Sequence, residues 1–276
     1  MNRCRTHAAI LFVSLIATFT HAATVQLGSR SLNIPNPEGF EPLTPVSPRY
    51  IQAAQAYLPA SNRLVEAYAA PADAKALAQG QSATLARYFQ LQAPRKAEGV
   101  VVSASEFADA SKEVEGGFEQ TVKNSQPLAT QLTEQGNAEV KRMTESDPKI
   151  ALSSIGYLGA FRREPWGLFF TIKSGLTAEG GANQIMVCGG ALVLVNYQLL
   201  FMYSYSQYRD ESDRRWVEQA TSAWADAARA ANPDDPKVAA STSSGWGSGV
   251  LRMALIGAII GGFVGLIGSL LRKRNR

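Results

Sequence analysis

The sequence predicts an α+β fold, a mainly antiparallel sheet with packed helices, followed by one C-terminal transmembrane helix. Three observations carry this expectation. Gln198 to Tyr208 alternates, with Phe201, Tyr203 and Tyr205 on one face and Met202, Ser204 and Ser206 on the other, the period of a strand. Glu211 to Ala231 repeats at helical spacing, with Trp216, Ala220, Trp224 and Ala227 on one stripe and Arg215, Glu218, Ser222, Asp226 and Arg229 opposite. From Met253 to Leu271 there are nineteen residues without a charge, about the length that crosses a ~30 Å hydrocarbon core.

Taken in order, the chain opens on a segment with the features of a secretory signal, residues 1–23. Arg3 and Arg5 make a positive start, Ala8 to Thr18 is a short apolar core, and Thr20-His21-Ala22 offers small residues for cleavage after Ala22 or Ala23. Residues 24–231 form the expected exported domain. Thr24 to Ile34 reads as two short strands about a Gly-Ser-Arg turn, closing at Pro35. Ser47-Pro48 starts a helix that runs to about Tyr57. Arg63 to Ala69 and Ala83 to Leu91 read as strands, joined by a short helix from Ala72 to Gln79 that ends at Gly80.

Ser103-Ala104-Ser105-Glu106 is a capping-box pattern. It opens a polar helical region from about Ser105 to Glu145, with breaks expected at Gly116-Gly117 and Pro127. Strands Ile155 to Phe161 and Gly167 to Ser174 flank a turn at Glu164-Pro165-Trp166, and Gln184 to Val195 and Gln198 to Tyr208 flank Asn196-Tyr197. Ile185 to Tyr203 is apolar enough to serve as a second membrane span, but Asn196, Gln198 and the alternation after them favour a buried hairpin. After Ala231 a Pro/Ser/Gly-rich linker, 232–252, leads to the membrane segment at 253–271.

Leu32-Asn33-Ile34-Pro35 to Gly39-Phe40, the hairpin Val193 to Phe201 and the closing helix Trp216 to Ala231 together resemble the PsbP/Mog1-like fold, seen also in bacterial envelope proteins of the DcrB type. The resemblance implies an α+β envelope domain and transfers no functional residue. The polar helical region from Ser105 to Glu145 departs from that pattern.

The tail has its own logic. Arg272, Lys273, Arg274 and Arg276 (the 272–276 segment) follow the apolar stretch, and no acidic residue follows Asp235. Such a basic cluster stays cytoplasmic, so the domain faces outward. This places the protein in a bacterial inner membrane, single-pass, with its main domain in the periplasm. Gly257, Gly261, Gly265 and Ser269 recur every four residues and make one smooth stripe. In lipid, that stripe either lets a second copy or another membrane helix approach closely or belongs to a plain anchor. A third reading makes 241–276 a cleaved sorting signal, since Ser241 to Gly249 precedes an apolar stretch and basic residues.

Composition narrows the chemistry. Seven of the 27 Lys and Arg lie at the two ends (Arg3, Arg5, Arg252, Arg272, Lys273, Arg274 and Arg276), leaving 20 against 23 Asp and Glu. The body is slightly acidic, which removes the basic face that nucleic-acid binding requires. Both histidines, His7 and His21, and Cys4 fall in the expected signal, so the exported part holds one cysteine, Cys188, and no histidine. Histidine-based nucleophilic catalysis and His/Cys zinc sites then lack their residues. No catalytic, cofactor-binding or metal-binding residue is singled out. Cys188 sits in an apolar run and reads as a buried small hydrophobe.

The remaining motifs are weak. Ser146-Asp147-Pro148-Lys149 has the spacing of penicillin-recognising enzymes but no partner motif. Gly245 to Gly249 lacks the strand that a phosphate cradle needs and reads as linker, with Trp246 at the membrane interface. Arg162-Arg163-Glu164 reads as a solvated turn, with anion binding as the alternative. The sequence thus points to a non-enzymatic interaction module that acts on the membrane, on an unknown periplasmic protein or on a second copy, without a cofactor. The competing reading is a carboxylate-based hydrolase or small-ligand-binding domain.

Overall fold

The computed structural model describes residues 22–239, leaving out 125, 145–147 and 178–182. The first two strands, β1 (Ala22–Leu27) and β2 (Arg30–Pro35), form a hairpin of their own about Gly28. Then come β3 (Glu41–Pro42), α1 (Pro48–Ala56), β4 (Asn62–Ala69), α2 (Pro71–Ala78) and β5 (Arg87–Pro94). Two long helices follow, α3 (Ala104–Asn124) and α4 (Gln126–Thr144). A meander of β6 (Ala151–Glu164), β7 (Gly167–Thr177), β8 (Asn183–Val195) and β9 (Gln198–Gln207) leads to α5 (Glu211–Ala230) and the short α6 (Pro236–Ala239).

Strands β3 to β9 make one sheet in the order β3-β4-β5-β9-β8-β7-β6, and every pairing is antiparallel. Helices α1 to α4 cover one face, where Tyr50, Leu77, Phe118 and Leu132 meet Tyr88, Phe170, Leu192 and Tyr203. Helix α5 and the β1–β2 hairpin cover the other, where Leu32, Ile34 and Trp224 meet Phe89, Phe169, Val193 and Met202. The α+β class and the alternation of β9 are therefore as expected. So is the 185–203 hairpin: Asn196 and Tyr197 have φ of +44° and +62°, the tight turn that matches strand twist. Among the described residues no helix is long and apolar enough to cross a membrane. The expected signal, most of the linker, the apolar segment 253–271 and the basic tail lie outside the described residues.

Three local expectations are corrected. First, α3 runs straight through Gly116-Gly117. Two glycines cost roughly 1 kcal/mol each, but Val114 and Phe118 beside them are buried and Phe118 stacks on Tyr157 at 4.3 Å. Tertiary packing outweighs propensity here. The capping box does form: the Glu106 carboxylate accepts from Ser103 N at 2.8 Å, and Glu106 N donates to Ser103 Oγ at 3.2 Å. Second, β5 starts at Arg87, because Leu85 takes a left-handed conformation (φ +45°) that no extended strand continues through.

Third, the buried stripe of α5 is Asp213, Val217, Thr221, Trp224, Ala225 and Ala228. Trp216 and Ala220 are only half-buried and Ala227 is exposed. The helix is rotated from the hydrophobic phase because two polar residues, Asp213 and Thr221, point inward to bond the sheet. Folded contacts also continue past Ala231, since the Asn232 side chain accepts from Asn33 N at 2.8 Å and donates to Asn33 O at 2.7 Å. A side-chain amide thus completes the open edge of β2.

Close seating of α5 depends on one row of small residues, Thr171, Gly189 and Ser204, which are neighbours across β7, β8 and β9. Thr221 Oγ1 donates to Gly189 O at 3.0 Å, Ser204 Oγ donates to Val217 O at 2.9 Å, and Thr171 Oγ1 donates to Glu218 at 2.7 Å. A Cβ at Gly189 would lie 2.5 Å from the Val217 carbonyl oxygen; one at Gly190, on the opposite face, would meet the Phe170 ring at 2.4 Å. Rings can shift and helix backbone cannot. Gly189→Ala is therefore expected to cost at least ~2 kcal/mol by overpacking and more than Gly190→Ala, measured by urea denaturation. Equal losses for the two variants would show that α5 is not seated by this contact.

Candidate functional site

Carboxylates are the only groups in the body that the sequence left open for acid–base work, so their surroundings decide what chemistry the domain holds. Glu66 sits on β4 just after a register shift against β5, and the bulge turns its side chain toward the β3 segment. Its Oε1 accepts from Leu43 N, Thr44 N, Thr44 Oγ1 and Ala67 N at 2.8–3.1 Å. Burial raises its carboxyl above the ordinary range, against the pull of those hydrogen bonds. The group is a clamp between chain segments, with its oxygen already spent on backbone donors.

Asp213 lies in the first turn of α5 with a fully buried side chain. It accepts from Arg209 N, Nε and Nη2 at 2.8–3.1 Å, from Arg87 at 3.3 Å and from Ser206 Oγ at 3.3 Å. The hydrogen bond from the Arg209 guanidinium, joined by the Arg209 amide and Arg87, holds its carboxyl well below the usual carboxylate range. Arg87 also lies 4.3 Å over the Trp216 ring. This network fastens the start of α5 to the sheet.

The Arg162-Arg163-Glu164 segment is neither a solvated turn nor an open anion site. It lies within β6, and the turn is Pro165-Trp166. Arg162 makes a two-pronged pair with Asp226 of α5 at 2.8 and 2.9 Å and lies over Phe169 at 4.7 Å. Arg163 pairs with Glu115 of α3. The two arginines thus tie one strand to helices on opposite faces of the sheet. Cys188 is buried on β8, and burial pushes its thiol well up, so it is the inert hydrophobe expected. Among the described residues no three His, Cys, Asp or Glu converge on a metal position.

An open feature lies elsewhere, at the end of the sheet under the helical layer. A cleft of about 230 Å³ is lined by the 82–86 loop, Tyr88 of β5, Leu176 of β7, Gln184 and Met186 of β8, and Gln207 of β9. Ala83, Leu85, Tyr88, Leu176 and Met186 are its buried floor. Behind the floor Tyr88 stacks on Tyr205 at 4.6 Å with the rings 14° from parallel. Two register pairs further in on the same strands come Gln90 and Tyr203, both fully buried. The Gln90 amide nitrogen and the Tyr203 hydroxyl have no hydrogen-bond partner among the described residues.

Sequence reasoning placed 83–86 inside a strand and so missed this cleft; no pattern of apolar residues marks a leucine for φ > 0. The residues it did single out, Gly257, Gly261, Gly265 and Ser269 for helix packing and Arg272, Lys273, Arg274 and Arg276 for topology, lie outside the described residues, as does Ser146-Asp147 of the serine–lysine motif. No known family model matches the chain, and no curated protein matches it.

Two outcomes follow for the buried acids. Asp213 has a depressed folded pKa, so its stabilisation is present above the unfolded value near pH 3.9 and is lost as pH falls through the folded value. Asp213→Asn should cost about 2–3 kcal/mol at neutral pH, and the gap to the parent should narrow steadily from pH 5 to pH 2 in urea titrations. A gap that stays constant over that range would show that the charge is not what Arg209 and Arg87 hold. For Glu66, whose role is to accept, Glu66→Gln, which keeps an acceptor oxygen, should cost under about 1 kcal/mol while Glu66→Ala, which strips Thr44 of its acceptor, should cost ~2–3 kcal/mol. Similar losses for both, by thermal melts, would refute the acceptor role.

Proposed function

We propose that this is a single-pass envelope protein whose domain works by binding rather than by catalysis. The observation that carries it is the state of the buried carboxylates: Glu66 Oε1 accepts four hydrogen bonds from Leu43, Thr44 and Ala67, and Asp213 is held by two arginines and a serine. A carboxylate-based hydrolase needs two acids facing a common space with room for substrate and water. These two instead act as fasteners of separate elements. The cleft, which is open to a ligand, is lined without any charged side chain among the described residues.

The topological half of the proposal rests on the sequence. A signal-like start, nineteen uncharged residues and a basic end support an outward domain, a helix across a bacterial inner membrane and a cytoplasmic tail. Within it, Gly257, Gly261, Gly265 and Ser269 dock a second copy or another membrane helix. The PsbP/Mog1-like likeness belongs to the same proposal, as the antiparallel sheet and closing helix suit it. Fold and tether also fit in reach. Asp235 N is bonded to Asn196 Oδ1 at 3.1 Å, so the path to the membrane starts beside the β8–β9 turn. Residues 240–252 would span at most about 45 Å.

The test is protease protection on intact and outer-permeabilised cells, with a tag after Arg276 and an antibody to the domain. The expected result is digestion of the domain only once the outer compartment is opened, with the tag protected throughout. Loss of the tag from the mature protein would convert the tail to a cleaved sorting signal, and equal protection of both ends would overturn the outward topology. In the same cells Gly261→Leu with Gly265→Leu should abolish a crosslinked oligomer; an unchanged oligomer assigns the stripe to plain anchoring.

A further inference from the structure

We infer that the cleft at the β5–β9–β8–β7 end of the sheet is a binding site for a small uncharged ring compound, with its apolar part toward the Leu85, Leu176 and Met186 floor and its polar edge toward Thr84, Gln184 and Gln207. Size, lining and backbone each point the same way. A buried cavity of about 150 Å³ takes benzene, so the 230 Å³ of this cleft has room for a one- or two-ring compound. Its floor is apolar and aromatic, from Leu85, Tyr88, Leu176 and Met186, and its rim is hydroxyl and amide. A polar rim on an apolar floor orients a ligand that is itself part apolar.

The stacked Tyr88–Tyr205 pair, both rings buried, backs the floor and holds it in place. Among the described residues the lining holds no cation or anion, so an ionised ligand would lose its hydration and gain no partner there, which selects against charge.

The backbone adds an independent mark. Leu85 is held at φ +45° while its side chain is buried in the floor. A left-handed leucine costs of order 1–2 kcal/mol, and such strain persists where the surroundings hold a ligand-facing wall in place. It is the left-handed turn at Leu85 that bends the 82–86 loop out of the β5 line and opens the space between it and β8. Gln207 N, donating to Ala86 O at 3.1 Å, anchors the far end of that loop to β9.

The inference rests on the binding reading above but is independent of the membrane topology. It is tested on the full chain, isotope-labelled and purified in detergent, titrated with indole and, separately, with benzoate, a charged molecule of similar size. Indole is expected to shift the backbone amides of 83–88, Leu176, Gln184 to Met186 and Gln207 in a saturable way. Benzoate should bind at least tenfold more weakly. Ala86 is exposed at the mouth, so Ala86→Trp should leave the melting temperature unchanged and remove the indole shifts, whereas Met186→Trp fills the floor and should remove them as well. Shifts that persist in Ala86→Trp, that spread over the whole domain, or that benzoate matches would each overturn the site. A failure of that kind leaves the protease-protection result standing, so loss of the ligand site and loss of the envelope assignment are told apart.

Discussion

Helix α5 lies on the sheet at a distance that only a glycine allows. With Gly189 under Val217 and Thr221, helix backbone and strand backbone come within reach of each other's hydroxyl partners, and Thr171 and Ser204 on either side bond upward into the helix. Most helices are seated on sheets by interdigitated apolar side chains. Here the centre of the contact is small and polar, and the apolar parts sit to its flanks, with Trp224, Ala225 and Ala228 on one side of the row. Because the row spans three adjacent strands, the position of α5 also sets where Trp224 meets Pro35, to which its indole N–H donates at 2.8 Å. The β1–β2 hairpin is thereby placed by a contact several strands away.

Charge is used in the same structural way. Apart from Arg209 with Asp213, the ion pairs described above join elements distant in sequence, as Arg162 with Asp226 and Arg163 with Glu115, and so does Arg63 of β4 with Glu98 at 2.8 Å. Isolated surface pairs contribute little, but two of the paired arginines also cover aromatic faces: Arg162 lies over Phe169, and Arg229, paired with Asp234, lies over Trp166. A guanidinium between a carboxylate and a ring covers apolar surface with its flat face while its edge stays hydrogen-bonded. Polar groups here finish the packing of a sheet whose flanks the helices leave partly open.

Much of this was legible beforehand, for physical reasons that differ by element. Period-two alternation in β9 and the Asn196-Tyr197 turn are local properties, so the late hairpin could be read directly, and so could the capping box at Ser103. The phase of α5 was not legible, because hydrophobic periodicity treats Asp213 and Thr221 as outward residues, and only the fold brings Arg209 of the β9–α5 connection, Arg87 and Gly189 to them. The passage of α3 through Gly116-Gly117 was likewise hidden in Phe118's contacts with Tyr157 and Phe170. The candidate cleft was the least visible. It depends on one leucine taking a left-handed conformation, which apolar pattern does not encode, and on five segments meeting at one end of the sheet.

The order of strands has a consequence in time. Strand β5 lies between β4 and β9, so a chain that emerges from its N-terminus makes β3, β4 and β5 long before the neighbour of β5 exists. More than a hundred residues separate Pro94 from Gln198. Until the final strand arrives, the inner edge of β5, with Phe89 and Leu91 beside it, presents unpaired amides and carbonyls to any strand that passes. The late hairpin forms quickly, because its two strands are joined by two residues. It then closes the sheet in one step, bringing the left half and the right half together. The sheet therefore stays open at β5 until its last strand is made, and that edge is exposed throughout the interval in which α3, α4 and β6 to β8 are synthesised.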